Sequence, residues 1–199
     1  MTKKDIFILG LDIHGKECID IIERNGSYRL VGFVSDAPEP PVDFAGYPVL
    51  TPDEAVRCCP SAGLIPLHVW KDDRHIDRWV SLIDPSAFVA SSAKIGRGCI
   101  IYPHCYIGAN AELGDGVFML SGAVVNHDCA IGGRAVLTSR ATLAGGVRIG
   151  ASAYLGQGCN IRQNLSVGEH AFVGMGAVVV KDVPDGATVT GNPAKPYHK

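Results

Sequence analysis

What this chain lacks narrows its class before any motif is read. No apolar run approaches the roughly 20 residues of a membrane span, so none is expected. Charge is sparse and balanced, with 18 Lys+Arg against 20 Asp+Glu and a formal net charge of −2. There is no basic patch or stripe, which argues against a nucleic-acid partner. The start, Met1 to Ile8, has too short an apolar stretch for a secretory signal and runs on into folded pattern. The seven cysteines are an odd number without metal-type spacing, so no metal site is expected. These absences describe a soluble cytoplasmic protein, with room in 199 residues for two small domains.

What is present is a six-residue beat running without a gap from Leu82 to Val183. Apolar anchors recur every sixth residue, from Ile83, Val89 and Ile95 through to Val173 and Val179. Four residues after each anchor stands a compact side chain, mostly Ala or Cys, from Ala87 to Val183. A hexad is too short for a helical repeat, and anchors rich in β-branched residues suit a pleated surface. Three hexads make an 18-residue triangular coil, with anchors along the edges and small residues at the inner corners. The stretch therefore predicts a parallel β-helix of between five and six coils, held mainly by contacts between neighbours. Gly96, Gly108, Gly114, Gly132, Gly150, Gly156, Gly168 and Gly174 follow anchors directly, where a positive φ is expected. Cys99, Cys105, Cys129 and Cys159 fill the inward slot. Cys105 and Cys159 share a column but lie three coils apart, about 14 Å at about 4.8 Å per rung. A disulfide needs about 7 Å, so these thiols are expected to be reduced.

The first 81 residues have a different period. Ile6–Leu9 reads as a strand, Gly10 to Gly15 as a turn and Lys16 to Arg24 as a helix. A second strand covers Arg29 to Val34. Thr51-Pro52-Asp53-Glu54 starts a helix, Gly63 to Val69 is a third strand, and Asp72 to Leu82 is expected to be helical. Strands alternating with helices predict a small parallel sheet. The expected organisation is an α/β Rossmann-like domain over 1–81 and an all-β β-helix with a tail over 82–199.

The uninterrupted hexads, followed by Lys181-Asp182-Val183-Pro184-Asp185-Gly186 and Gly191-Asn192-Pro193-Ala194-Lys195, resemble the hexapeptide-repeat acyltransferases. That resemblance implies a left-handed β-helix. Gly10-Leu11-Asp12-Ile13-His14-Gly15-Lys16 is similar to the glycine-rich loop that opens the NeuD/PglD family of bacterial sugar acetyltransferases. In that family such a domain holds a nucleotide sugar. The resemblance thus implies substrate contacts at Asp12, Ile13 and His14; Ser35 and Asp36, by their place at the end of the second strand, are expected to meet the substrate too, with Asp36 accepting from ribose or sugar hydroxyls. Asp12 and Ile13 stand where the family has glycine, and the Asp12 charge opposes a pyrophosphate.

In the hexad Val124-Val125-Asn126-His127-Asp128-Cys129, Val125 and Cys129 point inward, so His127 and Asp128 project at a corner. The family carries a His followed by an acidic residue in this hexad, as general base and the group that orients it. Adding one 18-residue coil to His127 reaches Gly145, expected to leave room beside the imidazole for a thioester and to offer an N–H to the oxyanion. The resemblance implies direct acetyl transfer from acetyl-CoA to a sugar amine, or alternatively to a sialic-acid-like hydroxyl. It further implies acetyl-CoA contacts at Gln157, Met175, Pro193 and Lys195. A second family histidine is replaced by Val136.

Outward positions taken every 18 residues form an apolar column, Ile100, Phe118, Val136, Tyr154 and Phe172. A monomer would not leave such a column wet, and a homotrimer with active sites between subunits is expected. Two other readings stay open. A metal-dependent hydratase on the same solenoid needs three converging histidines, but His104, His127 and His170 are not spaced by multiples of 18. A trimeric scaffold without catalysis is the other.

Overall fold

The computed structural model describes residues 2–68, 70–71 and 73–197. The first unit is a five-stranded sheet with strand order β3-β4-β2-β1-β5. Its elements are β1 (Lys4–Leu9), α1 (Ile13–Asn25), β2 (Tyr28–Val34), β3 (Asp43–Phe44), β4 (Tyr47–Leu50), α2 (Pro52–Cys58) and β5 (Gly63–Pro66). All pair in parallel except β3 with β4. β1 lies between β2 and β5, so the chain reverses its winding direction there and opens a crevice at the carboxyl ends. The core is Ile6, Ile8, Phe33, Ile65 and Leu67, closed by Cys18, Ile21 and Ile22 of α1. Gly15 lets α1 approach closely: a Cβ there would lie 3.0 Å from Phe33.

The expected elements of this domain largely stand, with three differences. α1 begins at Ile13 because the Asp12 carboxylate caps it, accepting from Gly15 N–H at 3.0 Å. The β3–β4 hairpin was not anticipated, because Ala45 and Gly46 supply its positive φ values in place of the usual Asn-Gly signal. The helix expected over Asp72 to Leu82 does not form. It shrinks to a single 3-10 turn, Ile76–Arg78. Trp79 bridges to Leu64, and Val80 donates to the Leu64 carbonyl at 2.9 Å. The open edge of β5 thus recruits this stretch as extended chain, and tertiary pairing overrides its helical periodicity. Asp72, and Val69 of the expected third strand, lie outside the described residues.

From Leu82 the chain winds into a left-handed parallel β-helix. Two-residue rungs 18 positions apart stack into three faces, for example Tyr106↔Val124↔Thr142 and Glu112↔Ala130↔Arg148. Anchors from Ile101 and compact residues from Cys99 to Val183 are buried; Ile83, Val89 and Ile95, in the terminal coil, are only half-buried. The four inward cysteines are buried and free, and burial pushes their thiols up, Cys159 to about 12 and Cys99 and Cys105 to about 11.

The glycines after the anchors serve a different need from the expected one. None of the eight has a positive φ. A Cβ on Gly132 or Gly150 would instead run into the backbone of the next coil, so they are glycines because the coils approach closely there. The left-handed conformation falls three residues after the anchor, at Asn110, Asp128, Gly146 and Asn164 among others. Asn, Asp and His tolerate that region better than most side chains. His104 and His170 occupy such corners on two ridges other than that of His127.

The first domain packs on the face built from Leu82–Ile83, Ile100–Ile101 and Phe118–Met119. Ile100 and Phe118 are 1% and 2% exposed, because this chain's own first domain covers them. The expectation that a neighbour covers the whole apolar column is therefore corrected for its lower half. Only Tyr154 and Phe172, stacked at 5.0 Å and 39% and 44% exposed, and half-buried Val136 remain. Arg24 to buried Asp84 at 3.1 Å, and Arg134 to Asp73, fasten the two units. No helix among the described residues is long and apolar enough to cross a membrane.

Candidate active site

The corner between the rungs Val124–Val125 and Ala130–Ile131 carries His127 on an open ridge, its side chain 68% exposed. Asp128 follows in the left-handed conformation, φ 59°. This turn places its Oδ2 2.8 Å from His127 Nδ1. An ionised carboxylate only accepts, so the proton is assigned to Nδ1 and the Nε2 lone pair is left free. Asp128 Oδ1 accepts from Asn110 Nδ2 at 3.0 Å. His127 and Asn110 together hold the Asp128 carboxyl below its usual range. The result is a fixed imidazole tautomer with its lone pair on Nε2.

Gly145 lies on the next coil, but the space it leaves is already used. A Cβ there would lie 2.5 Å from His127 Cε1 and 2.6 Å from Nε2. The imidazole itself rests against this glycine, filling the place a side chain would take. The Gly145 N–H has no acceptor among the described residues. In the same slot elsewhere, Arg97 and Glu169 donate to Asp115 and Asp185 on the next coil at 2.7 and 2.8 Å. The corresponding donor at Gly145 is left open beside the base.

The remaining expected residues do not gather here. Gln157 and Met175 share a different ridge, directly above one another, with Met175 well exposed. Pro193 and Lys195 belong to the terminal hairpin, where Lys195 pairs with Thr190. Val136 is half a coil from His127 and lies on the opposite face.

At the crevice of the first domain, Asp12 is committed to the cap of α1, and Ile13 is exposed. Ser35 is buried, its Oγ accepting from Ala37 N–H at 3.2 Å, while Asp36 is exposed. His14 Nδ1 lies 3.0 Å from Glu17 Oε2 and 3.3 Å from Tyr102 Oη. Tyr102 also donates to Glu17 at 2.9 Å. The His14 ring packs against His68 at 5.2 Å and Phe118 at 5.0 Å. Burial, then the neighbouring His14, pulls the His68 imidazole down, and burial pushes Tyr102 up. His14 thus ties the two domains together at the crevice.

Asn110, His68 and Tyr102 were not foreseen. Asn110 was within reach of the same arithmetic that found Gly145, one coil below Asp128. His68 and Tyr102 meet only through domain packing, which no spacing reveals.

Residues 5–59 match the family model described as the PglD N-terminal domain. No curated protein matches the chain in sequence. Solved structures match over nearly its full length. The acetyltransferase domain of PglB from Neisseria gonorrhoeae FA1090 is 30% identical, with a TM-score of 0.86, covering 98% of this chain and 100% of that one. The same domain is also known with acetyl coenzyme A bound. PerB from Caulobacter crescentus, in complex with CoA and GDP-perosamine, is 31% identical with a TM-score of 0.84, covering 99% of each chain. A variant of GDP-perosamine N-acetyl transferase from Caulobacter crescentus is 28% identical with a TM-score of 0.87, covering 100% and 99%.

Proposed function

This chain belongs to the NeuD/PglD-type family of bacterial sugar acetyltransferases, and from that premise we propose how it works. It is an acetyl-CoA-dependent sugar acyltransferase. We propose that its acceptor is the amino group of a nucleotide-linked amino sugar and that His127 is the general base. The observation that carries this reading is the Asp128–His127 pair, 2.8 Å apart on an open ridge beside a free backbone donor. The binding of GDP-perosamine by PerB favours the nucleotide-linked amine over a hydroxyl.

The acceptor nitrogen attacks the thioester carbonyl while His127 Nε2 takes its proton. The C–N bond forms, the C–S bond breaks, and the proton passes to sulfur to release CoA as the thiol. The Gly145 N–H stabilises the oxyanion, an interaction typically worth about 10²–10³-fold. Asp128 keeps the tautomer and balances the imidazolium.

The first domain packs on the face opposite the His127 ridge. A sugar held at the carboxyl ends of β1 and β2 is therefore across the prism from that chain's own base. We read the working unit as a cytoplasmic homotrimer in which one protomer's acceptor domain serves another's ridge. Val136, Tyr154 and Phe172 supply apolar surface for the contact, Gln157 and Met175 of a neighbour flank the pantetheine arm, and Pro193 and Lys195 lie towards the adenine. Light scattering tests the assembly, and a monomeric mass refutes it.

The test of the base is His127→Ala, assayed by thiol release from acetyl-CoA with a panel of nucleotide amino sugars. The expected loss in kcat/KM is about 10²–10⁴-fold. A variant within about threefold of wild type would exclude His127 as the base.

A further inference from the structure

We propose that Asn110 is a positioning residue that acts on the base through Asp128. The proposal rests on His127 as general base. Asn110 and Asp128 occupy equivalent corner positions on adjacent coils, with φ 58° and 59°. Asn110 Nδ2 donates to Asp128 Oδ1 at 3.0 Å, while Asp128 Oδ2 accepts from His127 Nδ1 at 2.8 Å. Asn110 is itself tied down, its N–H donating to Ser92 Oγ at 3.0 Å on the coil below. Three successive coils are thus linked at this corner: the Ser92 hydroxyl holds the Asn110 backbone, and the Asn110 side-chain amide holds the Asp128 carboxylate beside the imidazole.

The residue type fits the task. An exposed aspartate rotates about its last torsion, and only one setting aims an oxygen at Nδ1. An amide N–H on the other oxygen holds that setting. A lysine or arginine at 110 would pair with the carboxylate and compete with the imidazolium that forms during transfer. A second aspartate would repel it. Asparagine is a neutral donor, so it fixes the carboxylate and leaves its charge available to His127.

The rival explanation is conformational, because asparagine is also favoured at left-handed corners. Asn110→Gly separates the two. Glycine already fills this corner position at Gly98, Gly116 and Gly146, so the fold is kept and only the amide is lost. The expected result is a kcat roughly three- to tenfold lower, the size of one ordinary net hydrogen bond at a solvent-exposed site, with KM for both substrates and the melting temperature unchanged. In an Asp128→Gly background, Asn110→Gly is expected to have no further effect. Full kcat in the single variant, or an equal loss in both backgrounds, overturns the proposal. If His127→Ala is itself active, the base assignment fails, and that is a separate result.

Discussion

Gly145→Ala is the sharpest perturbation of this site, because it adds one methyl group and should separate catalysis from folding. Alanine is compatible with the slot: Ala109 and Ala151 occupy it on other coils, and the Gly145 φ is not positive. The new Cβ would meet His127 at 2.5–2.6 Å. The imidazole must retreat by about 1 Å to reach ordinary van der Waals separation. That displacement stretches the 2.8 Å contact with Asp128 and moves Nε2 off the acceptor. Because His127 is an exposed side chain, it yields without disturbing the core, and the stability cost should stay within about 0.5 kcal/mol. Misplacing a catalytic group by about 1 Å costs on the order of 10²-fold in rate. The expectation is a kcat/KM about 10²-fold lower, measured by thiol release, at a nearly unchanged melting temperature. A variant with wild-type kcat/KM, or one that melts early while each folded molecule keeps full activity, would refute this account.

Asp12→Asn keeps the helix cap and removes a negative charge from the start of α1. At about 4 Å in a watery site such a charge is worth about 1 kcal/mol, so UDP or GDP should bind about fivefold more tightly by calorimetry. Unchanged affinity for both would mean that the diphosphate lies away from α1. Glu54 accepts from the N–H and hydroxyl of Thr51, each at 2.9 Å, and these bonds hold its carboxyl below the ordinary range. A depressed folded value stabilises the protein at neutral pH and is lost as pH falls through the acidic range. The melting-temperature gap between wild type and Glu54→Gln should therefore close between about pH 5 and pH 3, and a constant gap would contradict it.

The solenoid was legible because one local rule is written many times over. An anchor and a compact residue in each hexad fix which side faces inward, and the 18-residue coil fixes what lies above what. That arithmetic led from His127 to Gly145, and applied downwards from Asp128 it reaches Asn110. The role of the outer glycines was harder to read, since a Cβ clash with the next coil and a left-handed turn leave the same residue in the sequence. The stretch around Trp79 has helical periodicity, yet its fate depends on the free edge of β5, a distant partner. Nor does a repeating outward column reveal that half of it is covered by its own chain, because Phe118 and Phe172 occupy the same position in their hexads.

The inward cysteines have a consequence for chemistry at the surface. Thiolates are the species that attack alkylating reagents, and in the prism the thiols of Cys99, Cys105 and Cys159 are both walled in and held almost wholly protonated at neutral pH. Cys58, at the exposed end of α2, is not walled in. A labelling time course would therefore begin at that helix end, and the buried sulfurs would follow only as coils open, each marking the loss of its own turn.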